Sequence, residues 1–405
     1  MSTAPLGIVG PGLMGLGMAQ VAAAQGFGVR LLTRSASASE AASIRLCTQL
    51  QRQCERGRLS QVALEACMSA VHFTHEVQAL SGCAAVIESV QEDRDLKTTI
   101  LQQLEAVLTP DALITSNTSG LPITGLGATL RHPSRFIGLH FFSPAERMPL
   151  VEVVQGQATS AATLTQALAL VASLGKQSVV VRDGPGFFTS RVFAAYLDEA
   201  VAMVGEGVAP DLIEQAAIAN GRAVGPLAVL DEVSLQLNLQ QAWQARADGL
   251  PARCCRPLAE PVLSLLVALG RKGRREGGGF YETASSGERG LWPGLASLFP
   301  PSASPPPLQV QQRLRCIEAL EALRCLEERV IARAEDADTA SVLGLGFPAA
   351  RGGVLRDVET LGLAPFVAEC EQLAVQHGPR FTPSPWLQSL ALRDAGLHTT
   401  SWSPP

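Results

Sequence analysis

A doubly wound α/β sheet domain followed by a duplicated all-α region is the architecture that this chain of 405 residues predicts. Three observations point to it. A short apolar run enters a glycine-rich loop that opens a helix. Further apolar runs of strand length alternate with helical patterns up to about residue 183. Beyond that point long amphipathic helices take over, and their order occurs twice.

The elements follow in order. "LGIVG" (6–10) reads as a buried strand, "MGLGMAQVAAAQG" as a helix closed by Gly26, and "GVRLL" as the next strand, which together make a β-loop-α-β unit. Strands are expected at "AAVIESV" (84–90), "ALITSN" (112–117), "FIGLHFF" (136–142) and "VEVVQ" (151–155), with helices at 95–108 and 160–174, and the sheet domain is expected to close near "SVVVRD" (178–183). The first domain is expected to span 1–183. From Arg191, "RVFAAYLDEAVAMVGEG" starts a helical domain at 184–282. Residues 283–309 are rich in Pro, Ser and Gly and read as a linker. A second helical domain fills 310–395, and a tail of 396–405 remains. "RLRCIEALEALRCLEER" repeats the first helix's pattern of a leading Arg, Glu eight residues on and an acid near the end. Each is followed by a second helix and a Gly-rich turn, "NGRAVGPLAVLDEV" or "GLGFPAARGGVLRDVETLG", so an internal duplication is expected.

Composition excludes several classes. With 47% hydrophobic and 17% charged residues the chain is a well-buried globular protein of two or three domains. A net charge of -5 with scattered Lys and Arg is no nucleic-acid footprint. Nine cysteines without a C-x-x-C pair suit free thiols in a reducing compartment and offer no metal site. The apolar stretch 6–26 is interrupted by glycines and a proline, so it reads as neither signal peptide nor membrane span. A cytoplasmic location is the expectation.

The loop "GPGLMG" carries Gly10, Gly12 and Gly15 as G-x-G-x-x-G between strand and helix. Gly10 permits the turn, Gly12 the approach of a pyrophosphate, and Gly15 the packing of helix on strand, which makes the domain Rossmann-like and dinucleotide-binding. The second strand of such a domain ordinarily ends in an acid that binds the ribose hydroxyls. Here Thr33 stands there, followed by Arg34 and Ser35. Thr33 cannot repel a 2′-phosphate and Arg34 can pair with one, so NADP is expected beside NAD. The alternative is a solvated Arg34 and NAD held with one contact fewer.

"SNTSGLPIT" (116–124), "GLHFFSPAERMPLVEVV" (138–154), "DGPGFFTSRV" (183–192), "VQEDRDLK" (90–97) and "GGGFYE" (277–282), with the glycine loop, resemble the L-3-hydroxyacyl-CoA dehydrogenase family. Nearly the whole chain takes part, and its duplicated helices resemble the dehydrogenase portion of the fatty-acid oxidation α-subunit without its hydratase domain. The residues carry the chemistry themselves: alcohol oxidation needs a base, and His140 ends a predicted strand with Glu152 on the next to hold its ring. The resemblance implies His140 as base and Glu152 as its orienting partner. It implies Ser119 at the substrate oxygen, and Glu92, Lys97, Met14 and Ser143 near the cofactor. The other histidines, including His377 and His398, carry no motif and are expected at the surface.

Two departures bear on rate and substrate. Ser190 stands where the family usually has an Asn that binds substrate, and Leu343 where the α-subunits tend to carry Tyr. The leading expectation is reversible NAD(P)-dependent oxidation of an (S)-3-hydroxyacyl-CoA to the 3-oxoacyl-CoA, in fatty-acid β-oxidation or related acyl-CoA metabolism. Two alternatives are a low-turnover acyl-CoA- or dinucleotide-binding protein and a 3-hydroxyacid-type dehydrogenase. The latter needs a catalytic Lys after the sheet, for which no counterpart is evident. The two helical copies are expected to pair within one chain as a pseudo-dimer. A thiolase or hydratase partner is left open.

Overall fold

A computed structural model describes residues 4–302, 304–393 and 396–398, so most of the expected tail, 399–405, lies outside the described residues. The chain divides into two compact units that part between Phe187 and Phe188. That is four residues beyond the boundary expected from sequence, because Phe187 is fully buried in the first unit.

The first unit opens with β1 (Leu6–Val9), α1 (Leu13–Ala24) and β2 (Val29–Leu32), as predicted. It continues through α2 (Ala36–Glu55), α3 (Gln61–Ala70), β3 (Val71–Thr74), β4 (Ala85–Glu88), α4 (Arg94–Val107), β5 (Leu113–Ser116), α5 (Ile123–Gly127), β6 (Phe136–Phe141), β7 (Leu150–Gln155), α6 (Ala161–Ser173) and β8 (Gln177–Arg182). The eight strands run in the order β3-β2-β1-β4-β5-β6-β7-β8, the reversal at β1 and β4 being the mark of a doubly wound sheet. Strands β1, β4, β5 and β6 are buried along their whole length, which explains their mainly apolar runs.

Most of the sheet is parallel, but β6 and β7 pair antiparallel. Only residues 142–149 join them, too short a connection for a crossover helix. Strand β3, "VHFT", was not expected: it is a four-residue edge strand with His72 exposed, so it carries no apolar run. Helix α1 packs close because Gly15 and Gly17 carry no side chain, and a Cβ at Gly15 would sit 1.9 Å from the Gly10 carbonyl oxygen. Its buried Leu16 and Met18 contribute about 1.5–3 kcal/mol each.

The second unit is helical: α7 (Thr189–Gly205), α8 (Pro210–Ala219), α9 (Pro226–Val233), α10 (Leu235–Ala247) and α11 (Glu260–Ala268). The segment read as a linker is built. It carries β10 (Arg289–Leu291), which forms a hairpin with the preceding β9 (Tyr281–Thr283), and the short α12 (Leu295–Leu298). Leu295 is buried, and Leu291, Trp292, Leu298 and Phe299 pack on the same helical core, so hydrophobic anchors outweigh the Pro and Gly around them. Then follow α13 (Pro307–Glu327), α14 (Ala334–Leu345), α15 (Val354–Leu361), α16 (Leu363–His377) and α17 (Pro385–Leu392).

The two helical halves repeat their contacts. Arg191 of α7 pairs with Glu321 and Glu328 on and just after α13, while Arg313 of α13 pairs with Glu199 and Glu206 on and just after α7. The Glu214 carboxylate accepts the Leu227 N–H at 2.8 Å at the start of α9, and Asp338 accepts the Leu355 N–H at 2.7 Å at the start of α15. In each half a glycine leaves the room: a Cβ on Gly225 or Gly353 would lie about as close as 2.4 Å to the Glu214 carboxylate or 2.5 Å to that of Asp338. Tyr281 gives its hydroxyl to Glu214 and its N–H to Asp231. His398 meets Asp338 through Nε2 at 2.6 Å and gives its N–H to Glu359. His398 is therefore a docked residue, contrary to the surface position expected, with a side chain only 5% exposed. His377 is half-buried.

Candidate active site

The carboxyl ends of β1, β4, β5 and β6 converge in the first unit, where loops of such a sheet bind ligands. After β1, Gly10 has φ +106°, a left-handed value, and a Cβ there would lie 2.4 Å from the Ser89 carbonyl oxygen. A Cβ at Gly12 would meet nothing within 4 Å. The loop is thus locked from below and open above, with the amino end of α1 facing the opening. Gly10, Gly12 and Gly15 fit a dinucleotide's pyrophosphate. Met14, in the first turn of α1, is half-buried and packs partly on the core.

Thr33 follows β2 and is buried. Its hydroxyl donates to the Ser35 carbonyl at 2.9 Å and lies 2.7 Å from Ser39 Oγ, so it locks the turn into α2. Ser35 caps that helix by accepting the Ala38 N–H. Arg34 is exposed. Arg45, which the sequence reading passed over, reaches from α2 to the Pro11 carbonyl at 3.1 Å and brings a cation to the glycine loop.

His140 and Glu152 are direct partners across the antiparallel β6–β7 pair. The register that the short connection imposes puts His140 Nδ1 2.7 Å from Glu152 Oε2. Glu152 is fully buried and His140 is 8% exposed. This contact holds Nδ1 as the protonated nitrogen facing the carboxylate and leaves Nε2 as the one able to exchange a proton. The Phe142 ring lies 4.7 Å and the Phe187 ring 6.0 Å from the imidazole, walling it from water. Phe187 holds φ 51°, a left-handed backbone that costs roughly 1–2 kcal/mol outside glycine. Ser143 sits exposed in the loop after β6.

Ser119 lies in the loop after β5, half-buried, with its N–H donated to Glu92 Oε1 at 3.1 Å. Lys97 is fully buried on α4 and binds Glu88 Oε1 at 2.8 Å, with Glu92 Oε2 3.4 Å away. Lys97 and Glu92 are therefore no ordinary solvated pair. Glu88 and Asn117 were missed from sequence. Asn117 accepts the Phe141 N–H at 2.8 Å and donates to Ser89 Oγ at 3.1 Å, stapling the ends of β4, β5 and β6. A carboxylate inside the apolar run "AAVIES", nine residues before a Lys, was the available signal for Glu88.

Ser190 and Leu343 belong to the second unit. Ser190 is half-buried in the first turn of α7, and Leu343 half-buried near the end of α14. Among the described residues no group of three or more His, Cys, Asp or Glu is placed to hold a metal ion. No described helix is long and apolar enough to cross a membrane.

Residues 5–184 match the 3-hydroxyacyl-CoA dehydrogenase NAD binding domain, and residues 186–283 match the C-terminal domain of the same family. Among solved structures, the 3-hydroxybutyryl-CoA dehydrogenase of Escherichia coli K12 is 27% identical, with a TM-score of 0.82 over 97% of this chain and 99% of that one. The M. tuberculosis protein FadB2 is 32% identical over 70% of this chain and 100% of its own, with a TM-score of 0.66. The (S)-3-hydroxybutyryl-CoA dehydrogenase PaaH1 of Ralstonia eutropha is 31% identical over 69% and 98%, with a TM-score of 0.65.

Proposed function

The chain belongs to the 3-hydroxyacyl-CoA dehydrogenase family, NAD-binding oxidoreductases, and from that premise we propose that it interconverts (S)-3-hydroxyacyl-CoA and 3-oxoacyl-CoA with His140 as the base. The observation that carries the proposal is the buried His140–Glu152 pair at the carboxyl edge of the sheet that also carries the glycine loop. His140 Nε2 takes the hydroxyl proton of the substrate, and Glu152 keeps the ring's tautomer and orientation while positive charge builds on it. Ser119 holds the reacting oxygen. Bound at Gly10, Gly12 and Gly15, the nicotinamide dinucleotide supplies the hydride acceptor. Met14, Glu92, Lys97 and Ser143 line or support the same site. Acyl-CoA metabolism, including fatty-acid β-oxidation, and a cytoplasmic setting are parts of the same reading.

Cofactor choice follows from the end of β2. Thr33 turns its hydroxyl inward and presents no carboxylate, while Arg34 is exposed and Arg45 lies over the glycine loop. These features support use of NADP beside NAD. Initial rates with acetoacetyl-CoA test both parts. NADH and NADPH should both support turnover, and R34Q should lower the NADPH rate about tenfold, a loss of one charge-assisted contact worth about 1.4 kcal/mol, without changing the NADH rate. No turnover with either cofactor contradicts the activity. NADPH rates indifferent to R34Q contradict the cofactor reading.

The mirrored ion pairs of α7 and α13, with the paired carboxylate caps at Glu214 and Asp338, support an internal duplication of domains 184–282 and 310–395 joined by 283–309. The two copies form a pseudo-dimer within one chain, which light scattering at the monomer mass supports and a dimer joined through these helices contradicts.

A further inference from the structure

Glu88 ends β4 fully buried, an unusual place for a carboxylate in an otherwise apolar strand. It is saturated with donors: the Val90 N–H at 2.7 Å, the Ser116 hydroxyl at 2.6 Å and the Lys97 ammonium at 2.8 and 3.1 Å. Lys97 is buried as completely. A buried Lys–Glu pair is poor value as a source of stability, because desolvating both ions offsets most of their attraction. Such a pair serves better to fix geometry.

The geometry it fixes leads to the substrate loop. Beyond Glu88, the Lys97 ammonium stands 3.4 Å from Glu92 Oε2. The other oxygen of Glu92 receives the Thr118 hydroxyl at 2.5 Å and the backbone N–H groups of Ser119 and Gly120 at 3.1 and 3.2 Å. One carboxylate is thus anchored in the sheet, the other clamps residues 118–120, and a single ammonium spans them. The same strand end is tied to the His140 strand separately, since the Asn117 N–H donates to the Glu88 carbonyl at 2.7 Å and Asn117 Oδ1 accepts the Phe141 N–H.

We propose that Glu88 is a positioning residue for the reaction, acting through Lys97 and Glu92 to set the loop that carries Ser119 at a fixed height over the end of the sheet. The inference rests on the role given above to Ser119. Glu88 itself touches neither substrate nor cofactor. Its removal should affect turnover of acyl-CoA more than dinucleotide binding.

The test uses the full chain and four readouts: kcat and KM with acetoacetyl-CoA, NADH binding by fluorescence, melting temperature, and amide hydrogen exchange at residues 118–120. E88Q should lower kcat at least tenfold, shift the NADH dissociation constant less than threefold, and speed exchange at Ser119 and Gly120. E88Q leaves the buried Lys97 ammonium with the Glu92 carboxylate alone and can impair folding, so E88Q/K97M is measured beside it. That double variant should recover the melting temperature but not kcat, because no ammonium is left to hold Glu92. Recovery of both, or an E88Q enzyme within twofold of the wild-type kcat, overturns the proposal and leaves Glu88 a structural residue. S119A separates the two readings. Full activity in S119A overturns the role of Ser119, whereas a slow S119A beside a fast E88Q overturns the relay alone.

Discussion

Replacing Glu152 by Gln removes a charge and almost no volume. In the native site the Glu152 carboxylate lies 2.7 Å from His140 Nδ1, fully buried, with the ring nearly so. When His140 takes the substrate proton, the ring becomes a cation facing that carboxylate. At an effective dielectric of about 20, opposite charges roughly 4 Å apart attract by about 4 kcal/mol. The net worth of a hydrogen bond to a charged group is smaller, about 1.5–3 kcal/mol. The amide oxygen of Gln can still accept the Nδ1 proton, so the loss falls between about 2 and 4 kcal/mol, or roughly 30- to 1,000-fold in kcat. Initial rates of NADH oxidation by acetoacetyl-CoA measure it, with NADH binding as the control. An E152Q protein within threefold of wild type, folded and binding NADH normally, would refute the view that charge on Glu152 supports the base.

The glycine loop yields a paired prediction. G12A should leave the melting temperature within about 2 °C and weaken NADH binding at least tenfold, since its Cβ enters open space where the pyrophosphate belongs. G15A should destabilise the fold by about 3 kcal/mol or more, because its Cβ collides with the Gly10 carbonyl oxygen, and thermal melts of both variants check the contrast. Asp198 supplies a pH dependence of stability. Burial pushes its carboxyl up to about 6, against the pull of the Arg256 guanidinium 3.2 Å away. The folded protein therefore holds that proton more tightly than the unfolded chain does. The stability this contributes is present below about pH 4 and lost as pH rises through 6. D198N should gain on wild type by about 1–3 kcal/mol between pH 5 and pH 7.5 in urea melts, and an equal difference at both pH values contradicts the sign.

The strands most legible in the sequence were those buried along their whole length, whose residues are mainly apolar: β1, β4, β5 and β6. Strand β3 was hidden because an edge strand needs no such run, and its alternate residue His72 faces solvent. Direction was equally hidden, since nothing local in "VEVVQ" says that β7 runs against β6; the brevity of the connection 142–149 decides it. His140 and Glu152 were legible as a pair. Their register partnership, which makes the 2.7 Å contact, is a property of the sheet. Glu88 and Lys97, both buried, and the half-buried Asn117 show the limit more sharply: polar residues whose partners lie on other elements look like surface residues or interruptions until the fold closes on them. The segment 283–309 misled for the converse reason, as Leu295 and Trp292 outweigh the flexible composition around them. The Arg and Glu repeats of α7 and α13 pointed to duplication, and the structure pairs them across the two helices.

The most direct test of His140 as the base is the H140A protein assayed in both directions with acetoacetyl-CoA and (S)-3-hydroxybutyryl-CoA. A general base of this kind contributes about 10²- to 10⁴-fold. H140A should therefore lose at least a hundredfold in kcat in each direction while binding NADH and melting as wild type does. A protein that keeps its full rate without His140 would contradict the account at its centre.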